Sequence, residues 1–167
     1  MATIVGAGAL QRIELFRTQW ADVSILSTLR EVQVFGCDAV EDLSPLADVP
    51  KLVVSMCDSI KALPAMRNDV LVVLRCDALT DLSGLAGGRV GASSCGDMCS
   101  VKDVGTLGAM RPPLRTVILV GIDKVQDVSM LAGMHMLKVS NCPRLDKTAT
   151  LAALEGKVGA ILWEKDP

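Results

Sequence analysis

Apolar positions along this chain follow one uneven beat that returns about every twenty residues. Between Leu29 and Val49 the apolar slots are Leu29, Val32, Val34, Cys37, Val40, Leu43 and Leu46. Val32 and Val34 alternate with their neighbours, which is the period of a strand. From Cys37 onward the spacing is three, which suits a tight 3₁₀-like or irregular return. The same beat recurs in Leu71–Gly88, Leu114–Met134 and Leu137–Glu155. Each copy opens on a β-rich run, passes a Cys or its substitute, turns, and reaches a motif of the type Asp-Leu-Ser-x-Leu.

That motif sets the register. It stands at Asp22–Leu26, Asp42–Leu46, Asp81–Leu85, Asp103–Leu107 and Asp127–Leu131, with degenerate copies at Lys61–Met66 and Lys147–Leu151. The copies begin at 22, 42, 61, 81, 103, 127 and 147, so the steps are 20, 19, 20, 22, 24 and 20. One such unit cannot bury its apolar edge alone. Stacking the units buries a continuous core and joins their strands into a parallel sheet, with each return acting as the crossover. A full α-helix does not fit a unit that already holds a strand and two turns, and Ser44-Pro45 favours a turn. The repeated Asp22, Asp42, Asp81, Asp103 and Asp127 have a local explanation in place of a calcium array: a short carboxylate ahead of a return can accept backbone N–H groups.

The pattern Leu-x-x-Val-x-Val-x-x-Cys-x-x-Val-x-Asp-Leu-Ser-x-Leu resembles the leucine-rich repeat family. Its short unit and Asp-Leu-Ser-Pro-Leu form are most similar to internalin-type and phosphatase-regulator-type repeats, with Cys in place of Asn as in cysteine-containing repeats. The resemblance spans about Leu10 to about Trp163. It implies an α/β solenoid of about seven to eight coils, with a parallel β-sheet on the concave face and short 3₁₀ or irregular returns. It also implies that the slot after each strand points inward. That slot holds Thr18, Cys37, Cys57, Cys76, Cys95, Ile122 and Cys142.

Composition narrows the picture. Half of the residues are apolar, yet the chain has two Phe, two Trp and no Tyr, so the core is built from Leu, Val, Ile, Ala and Met. Net charge is −2, with both signs scattered. No basic run with interleaved aromatics suggests nucleic-acid binding, and no apolar run is long enough to span a membrane. Met1–Ala9 lacks a basic leading region and is not read as a signal peptide, whereas a transit peptide stays open because Arg12 and Arg17 lie early. The six cysteines fall mainly on the inward ladder, so free thiols are expected over disulfides. Free thiols imply a reducing, intracellular compartment, with the cytoplasm favoured and an organelle left open. The chain reads as a single domain over residues 1–167, with an irregular insertion near 94–113. A division into two stacks there is the alternative.

Candidate chemistry is sparse. Gly6-Ala-Gly8 after Ile4-Val5 approaches a dinucleotide-binding turn, but Gln11 stands where the third glycine belongs. Cys95 and Cys99 have poor zinc spacing without a partner pair. His135 and Cys142 are too far apart in the repeat register for a nucleophile pair, since Cys142 points inward and His135 precedes the strand. No cofactor or metal is expected.

The informative surface is the outward face of the strands. Its central column reads Glu14, Gln33, Val53, Val72, Gly91, Ile118 and Lys138. The column toward the strand C-termini reads Phe16, Phe35, Ser55, Leu74, Ser93, Val120 and Ser140, and the third reads Glu31, Lys51, Val70, Arg89, Thr116 and Met136. So much apolar surface marks a contact face, although β-propensity alone also enriches Val and Ile in strands. The expected site is Phe16, Gln33, Phe35, Val53, Val72, Leu74, Ile118, Val120 and Lys138. The expected function is a non-catalytic protein–protein interaction module or a structural subunit of a multi-subunit complex. A regulatory subunit docking on an enzyme such as a phosphatase, and a cysteine-based enzyme, are the alternatives. Trp163 is expected to close the last coil.

Overall fold

Val32 and Val34 are fully buried, while Glu31, Gln33 and Phe35 remain half-exposed. The strand they form, β2 (Glu31–Phe35), therefore has one dry face and one open face. A computed structural model, which describes residues 10–87, 90, 92–96, 104–109 and 116–164, repeats this strand eight times. The others are β1 (Arg12–Phe16), β3 (Lys51–Ser55), β4 (Val70–Leu74), β5 (Ala92–Gly96), β6 (Thr116–Val120), β7 (Met136–Ser140) and β8 (Ala160–Glu164). They form one parallel sheet in chain order, β1 through β8. Pairing is in lockstep, as in Arg12↔Glu31, Glu31↔Lys51 and Lys51↔Val70. Parallel strands with few helices define an α/β-type fold.

The dry face carries Val32, Val34, Leu52, Val54, Leu71, Val73, Val117, Leu119, Leu137 and Val139, which join buried residues of the returns in one core. Leu26, Leu43, Leu46, Leu85, Leu107 and Leu131 come from the return side. Each such side chain contributes on the order of 1.5–3 kcal/mol on burial. A slip of one residue would turn every inward strand side chain outward, so packing fixes the register.

The residue after a strand repeatedly takes a left-handed conformation. Arg17, Gly36, Met56, Arg75, Gly121 and Asn141 have φ of 48°, 58°, 55°, 50°, 63° and 50°. This turn aims an N–H at the next strand's last carbonyl. Arg17, Gly36, Met56 and Gly121 donate to Phe35, Ser55, Leu74 and Ser140 at 2.8, 2.9, 3.0 and 3.0 Å.

Short 3₁₀ turns occupy four returns: Ser24–Leu26, Ser44–Leu46, Ser83–Gly87 and Ser129–Leu131. Each starts two residues after an Asp whose Oδ1 accepts the Ser N–H, from Asp22, Asp42, Asp81 and Asp127 at 2.9, 2.8, 2.7 and 2.8 Å. The degenerate copy at Lys61 has no such turn. There the Leu63 N–H is taken by the Asp81 carbonyl of the following unit at 3.0 Å, and Pro64 follows. Asp103 lies outside the described residues.

Two expectations need correction. First, the returns are not all 3₁₀ or irregular. Helix α1 (Gly105–Ala109) precedes β6, and the last return holds an eight-residue helix, α2 (Lys147–Leu154). That return runs from 141 to 159, against 36 to 50 between β2 and β3. The extra length admits two helical turns of Ala- and Leu-rich sequence, capped by Asp146 Oδ1 on the Ala149 N–H at 2.6 Å. Second, β5 enters three residues later than the sequence pattern placed it. Ser94 and Gly96, not Gly91 and Ser93, align with Val72 and Leu74, and Ala92 replaces Arg89 in the third column. Cys95 pairs with Val73 inside the strand and so does not occupy the slot after it. The glycine-rich Val90–Ala92 segment gives weak anchorage, so the hydrophobic beat was a poor guide there. The stretch 94–113, expected to be irregular, holds the end of β5 at 94–96 and helix α1 at 105–109, with Val104 buried between them; residues 97–103 and 110–113 lie outside the described residues.

Candidate protein-binding face

The open face is built by strand alternation alone. Every second strand residue points away from the core, and parallel pairing lines these residues into columns. Gln33, Val53, Val72, Ile118 and Lys138 share the central column and are half-exposed. Phe16, Phe35, Leu74 and Val120 share the column at the strand C-termini. Phe16 is 61% exposed. All nine expected residues thus lie on one face. The Val120 column is bridged by Gly96 and the Ile118 column by Ser94.

Charge sits at the two ends of this face. Glu31 Oε1 lies 3.4 Å from Arg12 Nε and 3.2 Å from Lys51 Nζ, and it accepts Gln33 Nε2 at 2.5 Å. The hydrogen bonds from Gln33 and then Lys51 hold the Glu31 carboxyl below its ordinary pKa. At the far end Lys138 Nζ contacts Glu164 Oε1 at 2.9 Å. Between them, β4 and β6 present Val70, Val72, Leu74, Thr116, Ile118 and Val120. On this face β4 and β6 are therefore mostly apolar, with Ser94 and Gly96 of β5 aligned between them, and the flanks are ion-paired.

The thiol ladder stands at the corner behind this face. Cys37, Cys57, Cys76 and Cys142 are buried and free, and Ile122 fills the same slot. Each thiol donates to the carbonyl two residues back: Phe35, Ser55, Leu74 and Ser140, at 3.3, 3.3, 3.4 and 3.3 Å. Thr18 begins the ladder, with Oγ1 3.7 Å from Cys37 Sγ. Burial is the largest cause that raises the pKa of Cys57, Cys76 and Cys142, and Cys76 is pushed up to about 11. Thiols so placed stay protonated at neutral pH and are poor nucleophiles. His135 is exposed ahead of β7, while Cys142 lies buried beyond its other end. Residues 4–9 and Cys99 lie outside the described residues.

Two features escaped the sequence pattern. Asp38, Asp58 and Asp77 form a second ladder beside the thiols. Asp38 Oδ1 accepts the Asp58 N–H, and Asp58 Oδ1 the Asp77 N–H, both at 3.1 Å. The repeated Cys-Asp dipeptide was the available signal. Asn68 stands in a core slot that holds Leu29, Val49, Val90 and Met134 in other units. Its Nδ2 donates to Leu46 O at 3.2 Å and Val49 O at 2.6 Å, tying one unit to the last.

Among the described residues no helix is long and apolar enough to cross a membrane. Among them, too, no group of three or more His, Cys, Asp or Glu is placed to hold a metal ion. No protein-family model matches the chain, and no curated protein matches its sequence.

Proposed function

We propose that the chain is a leucine-rich-repeat solenoid that binds another protein through the open face of its sheet and has no catalytic role. The observation that carries this reading is the row of half-exposed apolar side chains, Val53, Val72, Leu74, Ile118 and Val120, continued by Phe35 and the largely exposed Phe16. Apolar area gathered on one face of a soluble protein is typically a contact surface. The flanking ion pairs give it the polar rim of a protein interface around an apolar centre. The fitting partner presents an apolar ridge with little charge at its middle. The buried, protonated thiols support packing over nucleophilic work.

The test compares affinity capture by the wild type and by a Phe35→Asp, Val72→Asp variant, with circular dichroism to verify that both fold. Two buried charges at a contact centre cost several kcal/mol, so binding is expected to fall by at least a hundredfold. A partner held equally well by the folded variant contradicts the reading.

A further inference from the structure

The thiol ladder carries chemistry that the open face does not use. Cys37, Cys57 and Cys76 occupy three successive rungs, each buried and free. The residues two before them pair in register, Phe35↔Ser55 and Ser55↔Leu74, so the three side chains leave equivalent backbone positions. Each sulfur also makes the same local bond, to the carbonyl two residues back at 3.3, 3.3 and 3.4 Å, so the three point alike. Successive rungs are close. Cys57 Sγ reaches back to Val34 O of the preceding coil at 3.8 Å, and Thr18 Oγ1 stands 3.7 Å from Cys37 Sγ on the next rung.

That spacing suits an ion between two sulfurs better than a bond between them. A disulfide wants Cβ atoms about 3.8 Å apart, whereas neighbouring strands stand about 4.8 Å apart. An ion held in line between two thiolates spans two metal–sulfur bonds, roughly 4.6 Å for bonds of about 2.3 Å. The donor set then selects the ion. Structural zinc and iron–sulfur clusters take four protein ligands as a rule, and among the described residues no group of three or more such ligands is placed to hold a metal. A soft cation content with two sulfurs is Cu(I).

The electrostatics of the corner agree. Burial is the largest influence on Cys57 and Cys76 and raises both thiols, but the next is the amide of the preceding rung, Cys37 on Cys57 and Cys57 on Cys76, which favours the thiolate. Asp38 acts on Cys57, and Asp58 and Asp77 act on Cys76, in the opposite sense. Each sulfur thus has an N–H donor ready for negative charge, beside carboxylates that disfavour a bare thiolate and attract a cation. A bound ion deprotonates its thiol ligands outright.

We propose that consecutive thiols of this ladder form a two-coordinate Cu(I) site, with Cys57 as the shared ligand and either Cys37 or Cys76 as the second. Binding breaks two S–H bonds, forms two S–Cu bonds and releases two protons to water, and no electron is transferred. The ion ties one coil to the next behind the sheet. Cys142 takes no part, because Ile122 fills the rung before it. The site shares no side chain with the proposed partner contacts at Phe35 and Val72, so either idea can fail without the other.

Anaerobic titration of the full chain with the Cu(I)–bicinchoninate complex, read by loss of the chelator's colour, provides the test. The wild type is expected to withdraw one Cu(I) per chain. Cys57→Ser leaves no adjacent pair and is expected to withdraw none. Cys37→Ser and Cys76→Ser each leave one pair and should still take one ion, as should Cys142→Ser and a Cys95→Ser, Cys99→Ser variant. Thr18 shows that the slot accepts a hydroxyl, and circular dichroism verifies each fold. X-ray absorption of the wild-type complex, which needs no variant, should show Cu(I) with two sulfur neighbours. A wild type that withdraws no copper overturns the proposal. So does a folded Cys57→Ser chain that binds as the wild type does, an ion with three or four sulfur neighbours, or one lost with Cys142 or with the Cys95, Cys99 pair.

Discussion

At the residue scale, the slot after each strand separates what the backbone requires from what the side chain adds. Gly36 and Gly121 meet a left-handed turn without strain, whereas Met56 meets it at φ 55° with a side chain 40% exposed. A left-handed non-glycine residue carries about 1–2 kcal/mol of strain, offset in part by the entropy that glycine loses on folding. Met56→Gly is therefore expected to leave stability unchanged or raise it by up to about 1 kcal/mol. Gly36→Ala should lower it by about 1 kcal/mol, since its Cβ would also press on Arg17 Cγ at 3.1 Å. Urea melts of both variants check the pair. The thiols give a second residue-scale outcome. The folded chain holds Cys76 well above its ordinary 9.0, so the unfolded chain ionises first as pH rises. Stability is then fully present below pH 9 and declines as pH climbs from there through about 11. Iodoacetamide labelling at pH 8, read by peptide mass, should spare Cys57, Cys76 and Cys142 until denaturant is added. Fast labelling of native Cys76 would contradict its burial. The cysteine slot was legible at Cys37, Cys57, Cys76 and Cys142 because one small apolar residue recurred at fixed distance from a strand. It misled at Cys95, because Val90 fills the buried slot two residues ahead of β5 and not the strand position that the sequence pattern gave it.

At the element scale, the returns depend on small local devices. Asp42 turns the chain into Ser44–Leu46, and the hydrogen bonds from the Ser44 side chain and then its amide hold the Asp42 carboxyl below its ordinary pKa. Asp42→Ala should cost about 1 kcal/mol, comparable to losing a helix cap. Because this carboxylate and its counterparts at Asp22, Asp81 and Asp127 have depressed values when folded, their stabilisation is present above about pH 4 and lost as pH falls below it. Acid melts of the wild type and Asp42→Ala should converge there. Close approach matters as much as capping. A Cβ on Gly84 would sit 2.0 Å from Leu63 O, a backbone atom of the neighbouring unit. Gly84→Ala is expected to destabilise by about 3 kcal/mol or more, since two backbones must separate. Asp-led turns were readable because the motif repeats, and the missing turn at Lys61 follows from the missing Asp. Helix α2 was not readable from the repeat, since its stretch shares the motif's spacing while its added length and Ala-rich composition favour another conformation.

At the scale of the whole molecule, one lockstep register determines both the core and the candidate site. The residues that bury the dry face fix which side chains reach the open one, so the columns through Val53 and Phe35 followed from the sequence wherever Leu and Val positions were unambiguous. Only the β5 members, Gly91, Ser93 and Arg89, were misplaced. What the sequence could not convey was the arrangement of charge. Arg12, Glu31 and Lys51 are far apart in the chain, and their meeting around one carboxylate depends on parallel pairing. The same holds for Asn68, whose role depends on carbonyls of the preceding unit. The most direct test of the open face as a binding surface is hydroxyl-radical footprinting of the protein with and without its captured partner. Protection is expected at Phe16, Phe35, Leu74 and Ile118, with Ile25 and Leu151 on the return side oxidised equally in both states. Protection confined to the return side, with Phe16 and Phe35 unchanged, would contradict the account.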